Sequence, residues 1–193
     1  MSKIKINERN KLNIDTPALL LYMDVVEKNI ARMADYFKSR KCKLRPHIKT
    51  HKLPLIAVKQ INAGAIGITC AKLGEAEVFI KSGIKNILIA NEIVGEIKIR
   101  RLINLSRYSN IIICMDSYEN AMEISKIAKE EKTNIEFLVE VNVGLNRCGV
   151  LPGEPALILV KKISELDNLV FKGLMGYEGG VFINDINNYN KGE

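Results

Sequence analysis

"IEFLVEVNVG", residues 135–144, alternates along its length. Phe137, Val139, Val141 and Val143 fall on one side of an extended chain; Glu136, Glu140 and Asn142 fall on the other. An open sheet covered by helices on both faces wants few charges on either. A barrel wall differs, because its outside packs under helices while its inside faces a site. "LRPHIKTH", residues 44–51, splits in the same way, with Leu44, Pro46 and Ile48 opposite Arg45, His47, Lys49 and His51. "AIGITCA", residues 65–71, presents the small residues Gly67, Thr69 and Ala71 on one side. In "LVFKGLMGYEGG", residues 169–180, Lys172 meets Glu140 if both point inward, most simply as a structural ion pair.

Outward from these stretches, the chain repeats one unit. Apolar runs alternate with segments of helical period such as "GEAEVFIKSG", "GEIKIRRLINLS" and "SYENAMEISKIAKEEK". The first five runs recur about every 21 to 24 residues, the length of a strand, a loop and a helix. Gly64 and Gly83 follow helical stretches where a left-handed residue is wanted. Asp116 and Ser117 can cap the helix after "IIICM", Asp24 with Glu27 makes a capping box, and Pro152 and Pro155 flank a helix start. No G-x-G-x-x-G or G-x-x-x-x-G-K-[ST] follows an early strand, which weakens the nucleotide-binding open sheets. The expected fold is an α/β barrel of the (β/α)₈ type, represented by about six β/α units.

Composition narrows the class. The chain has 193 residues, 47% of them hydrophobic, which suffices for one globular domain. No apolar run approaches a membrane span, and the first residues do not read as a signal peptide. The cysteines Cys42, Cys70, Cys114 and Cys148 form no C-x-x-C pair and read as reduced thiols of a cytoplasmic protein. The net charge of +7 is spread over helical lysines beside glutamates, and aromatics are few, so no nucleic-acid partner is expected.

Both histidines of the chain lie in "RPHIKTHK", residues 45–52. Four basic side chains on one strand face are costly to bury together unless a ligand or an acid answers them. Lys49, beside Arg45, His47 and Lys52 and at a strand end, is placed to lose its proton and act as a nucleophilic amine toward carbonyls. H-x-x-x-H is a zinc pattern on a helix. On a strand the two rings are about 13 Å apart, too far for one ion.

Taken with "CAKLGEAEVFIKSGIKNILIANEIV", "VEVNVGLNRCGV", "GLMGYEGG" and the opening "DTPALLLYMDVVEKNIARMADYF", this segment resembles the D-threonine aldolase and D-serine dehydratase family of alanine-racemase-like, fold type III pyridoxal-phosphate enzymes. The resemblance runs from about residue 15 to 180. It implies a pyridoxal-phosphate barrel with Lys49 as the internal-aldimine lysine, Tyr177 close to the cofactor, Arg147 at the mouth, and His47 and Arg45 beneath the ring. A half-buried strand-end tyrosine and a loop ion pair are the plain alternatives for Tyr177 and Arg147. The implied chemistry is a lyase reaction on small D-β-hydroxy amino acids, with no membrane partner. An inactive or non-catalytic cofactor-binding remnant and an amino-acid racemase are the rivals. Family members are about twice as long, are often homodimers, and carry a C-terminal β domain with a histidine and a cysteine or aspartate for Mn²⁺ or Zn²⁺. Residues 1–193 are therefore expected to be a partial barrel domain without that β domain, with no metal ligands and little activity alone.

Overall fold

The structure, a computed structural model, describes residues 13–179. Helix α1 is Met23–Lys38, and a single 3₁₀ turn occupies Ile48–Thr50. There follow α2 (Pro54–Asn62), β1 (Ile68–Cys70), α3 (Leu73–Lys81), β2 (Asn86–Ile89), α4 (Glu96–Ser106), β3 (Asn110–Met115), α5 (Tyr118–Glu130), β4 (Ile135–Val141), α6 (Glu154–Ser164) and β5 (Leu169–Gly176).

The strands pair in parallel in the order β1-β2-β3-β4-β5. That order decides between the two architectures. Parallel strand–helix–strand crossovers are right-handed as a rule, so strands laid down in sequence without reversal put every helix on one face. A doubly wound sheet reverses its order and covers both faces. The result is the wall of a (β/α) barrel.

The alternation read from the sequence sets the core. Ile68, Ile87, Ile89, Ile111, Ile113, Met115, Ile135, Phe137 and Val139 pack on the helix side against Ala76, Phe79, Ile99, Leu102, Ile124 and Ile163. β-branched side chains suit such a pleated, covered surface, and each fully buried one contributes about 1.5–3 kcal/mol. The helices end as their residues dictate. Gly64 and Gly83, at φ 112° and 89°, follow α2 and α3. The Ser117 hydroxyl accepts from the Asn120 N–H, and Pro155 sits in the first turn of α6.

Three expectations need correction. The first apolar run is not a full strand. The Leu44 and Pro46 carbonyls accept from the N–H groups of Ile66 and Thr69, and His47 bridges to Thr69. Pro46 has no N–H to return, and at Ile48 the chain winds into the 3₁₀ turn. Lys49 and His51 therefore leave the line of Arg45.

Nor does the capping box at Asp24 and Glu27 form. The N-cap is Tyr22, which leaves Asp24 inside the first turn, and Glu27 accepts from Lys59 Nζ at 2.8 Å. Finally, Lys172 meets Glu136, at 3.3 Å, and not Glu140. The β4–β5 register slips between Phe137 and Leu138, leaving Lys172 as the extra residue of β5. Glu140 lies four residues further along β4, about 13 Å away.

Candidate active site

One cavity of about 340 Å³ opens at the C-terminal ends of the strands. Its lining comes from around the wall, the β3–α5 connection excepted: His47 and Lys49 from the first turn, Ala71 after β1, Ala90, Asn91 and Glu92 after β2, Glu140 at the end of β4, Arg147 and Cys148 from the next loop, and Met175 and Tyr177 from the end of β5. This is the end at which barrel enzymes place their chemistry. Asn91 Nδ2 donates to the Ala71 carbonyl at 3.1 Å and ties two of these loops together.

The cationic wall is built around Tyr177. The Lys49 ammonium lies 5.7 Å from the centre of the Tyr177 ring, and the Arg147 guanidinium carbon lies 5.3 Å from it. Lys49 stands on the exposed rim of the cavity, in the 3₁₀ turn. His47 Nδ1 accepts from the Lys49 backbone N–H at 3.3 Å, so its proton is on Nε2. Burial lowers the His47 pKa, and the nearby Lys49 charge lowers it further.

The four-cation face read from the sequence does not assemble. Arg45 turns to the opposite end of the strands and donates to Asn86 Oδ1 at 2.8 Å. It passes over Gly67, where a Cβ would strike both Asn86 O and the guanidinium. His51 Nδ1 accepts from the Leu53 N–H. Lys52 pairs with Glu75 at 3.4 Å. Glu75, 7% exposed, also accepts from the Ala71 N–H at 2.8 Å. It is the acid that answers the basic segment. Its position in the first turn of α3, one loop from β1, was visible in "CAKLGEAEV", but nothing local to it pointed back to residue 52.

The other wall is acidic. Glu140 is 4% exposed and accepts from Cys148 Sγ at 2.7 Å. Glu92 Oε1 is buried without a hydrogen-bond partner. Burial, then the charges of Asp116 and Glu140, push the Glu92 pKa up to about 7. Asp116 accepts from the Gly149 N–H. Burial and Glu140 hold the Cys148 thiol above its ordinary range. The ligand-bearing atoms of Glu92, Glu140 and Cys148 lie within 4.8 Å of one another. The thiol keeps its proton and donates it in a hydrogen bond to Glu140, so a cation here would have to displace that proton. The sequence reading had Glu140 in an ion pair, Asp116 as a helix cap and Cys148 as a plain thiol, and it passed over Glu92. Their shared signal was only that each follows or ends a strand.

Among the described residues, no helix is long and apolar enough to cross a membrane. Residues 22–189 match the family model "Alanine racemase, N-terminal domain". The chain is 39% identical over 168 residues to a D-threonine aldolase of Arthrobacter sp., covering 87% of this chain and 44% of that protein. It is 33% identical over 148 residues to a D-threo-3-hydroxyaspartate dehydratase of Delftia sp., covering 77% and 39%. The solved D-threonine aldolase of Filomicrobium marinum superposes with a TM-score of 0.84 at 43% identity, covering 86% of this chain and 45% of that one. The chain thus spans less than half the length of these relatives. On this match, the chain belongs to the alanine racemase N-terminal domain family.

Proposed function

We propose that the protein is a pyridoxal-phosphate-dependent lyase acting on D-β-hydroxy amino acids, with Lys49 as the amine that takes the cofactor's aldehyde. The observation that carries this reading is the convergence of the Lys49 amine, the Tyr177 ring and the Arg147 guanidinium on one cavity. The cavity's volume is that of a small-molecule site. An amine, an aromatic ring and a fork of donors fit the aldehyde, ring and oxygen substituents of the group. The likeness to aldolases and a dehydratase of hydroxy amino acids supports the substrate class.

When bound, pyridoxal phosphate supplies an electron sink for charge developing at the amino acid's Cα. The chain's residues do the rest. Lys49, once free, accepts or returns a proton on the face of the ligand it addresses. Arg147 holds an anionic oxygen through paired N–H groups. The Tyr177 hydroxyl holds or moves a proton at the mouth. His47, kept neutral, steadies the turn that carries Lys49 by accepting its backbone N–H.

The test is chemical. The protein is mixed with pyridoxal phosphate, reduced with borohydride and digested, and the modified lysine is mapped. Label on Lys49, lost in Lys49→Ala, is expected. Stoichiometric label on another lysine with Lys49 untouched would refute the assignment. Turnover of D-threonine with added Mn²⁺ or Zn²⁺ then tests the substrate class.

A further inference from the structure

We propose that Asn142 is the positioning residue that holds Arg147 over Tyr177 and toward the cavity. The inference rests on the reading of that cavity given above. Arg147 leaves the sheet on a loop, and a loop alone does not aim a long side chain.

The base of the loop is fastened by backbone bonds. Asn142 N donates to Val150 O at 2.8 Å, and Val150 N donates to Glu140 O at 3.0 Å. Gly149 N donates to Asp116 Oδ2 at 2.9 Å. Residues 143–148 hang beyond that base; Cys148 Sγ donates to Glu140 Oε1 at its far end, and Asn142 fastens the stretch that leads into Arg147. Its Oδ1 accepts from Gly144 N and Asn146 N, both at 3.1 Å, and its Nδ2 donates to Asn146 Oδ1 at 2.9 Å. One amide thus satisfies three groups of the loop. Asn146 stands at φ 54°, a left-handed conformation that asparagine tolerates well. Arg147 is the next residue. Its direction follows from the Asn146 backbone, and that backbone is pinned by Asn142.

Removing the amide should free the hanging segment while the base stays closed. The separating readout is the ring-current shift of the Arg147 side-chain resonances, which lie 5.3 Å from the Tyr177 ring centre. In Asn142→Ala the shift should collapse toward the value of a free arginine. Asn142→Asp keeps both backbone acceptor bonds and should retain most of the shift, also if the alanine variant proves unstable. Pyridoxal phosphate is the binding probe. Arg147→Ala and Asn142→Ala should each weaken its binding about tenfold, the size expected for one charged hydrogen bond. The double variant should bind no more weakly than either. An unchanged Arg147 shift in Asn142→Ala overturns the inference, as does loss of the shift in Asn142→Asp equal to that in a global unfolding control. If Arg147→Ala binds the probe like the parent while Asn142→Ala loses the shift, the peg stands and the ligand role of Arg147 falls.

Discussion

Glu92 shows how one carboxyl can set a pH dependence. Its pKa is raised to about 7 because it is buried beside Asp116 and Glu140. In the unfolded chain it returns to the ordinary glutamate value, so the folded state binds the proton more tightly. Stability from this group is therefore present at low pH and is lost as pH rises between the unfolded and folded values. The two histidines act in the opposite sense. Burial lowers both, so their contribution is present above the ordinary histidine pKa and is lost as pH falls below it. The Glu92 effect is isolated by comparison with Glu92→Gln. The variant should melt several degrees higher than the parent at pH 8 and alike at pH 4, by calorimetry. Equal melting at pH 8 would show that Glu92 ionises freely.

The β4–α6 connection carries more of the site than either element it joins. It holds Arg147, Cys148 and the Gly149 turn, and it folds back so that Val150 bridges Val141. Gly149 sits at φ 88°, and a Cβ there would lie 2.7 Å from Asn142 N and 2.8 Å from the Val141 carbonyl carbon. No flexible side chain is available to yield. Gly149→Ala should cost about 2–4 kcal/mol in denaturant unfolding through strain and collision, and should loosen the loop before the sheet. A cost below about 0.5 kcal/mol would mean that the loop shifts freely. The sequence reading singled out Arg147 in this loop by resemblance alone. The sequence did not show that the glycine packs against the backbone of its own strand.

At the scale of the whole molecule, the sequential parallel order leaves β5 as the last strand of the described sheet. Val170, Phe171 and Leu174 are 40%, 38% and 60% exposed along it. An apolar strand with unpaired backbone groups associates. Sedimentation of the protein at rising concentration should show self-association, and Leu174→Lys should reduce it without changing the helical content by circular dichroism. Strictly monomeric behaviour of the parent at high concentration would show that this strand is covered.

The sequence by itself determined the unit and its repeat: which runs after the first are strands, which segments are helices, and which strand face meets the helices. Those are local properties, carried by a period of two or of 3.6 residues. The motifs that carry Lys49, His47, Arg147 and Tyr177 are local too, and the fold brings these four residues to one cavity. Only the tertiary structure decided who meets whom. Arg45 and His47 are two residues apart, yet one goes to the foot of the barrel and the other to its mouth. Glu75 answers Lys52, Lys172 takes Glu136, and Glu92 joins Glu140 and Cys148. Each of these pairings depends on register, on a bulge, or on a loop brought in from another strand. A Coulombic partner within a few ångströms is chosen by position in space, and spacing along the chain does not encode that.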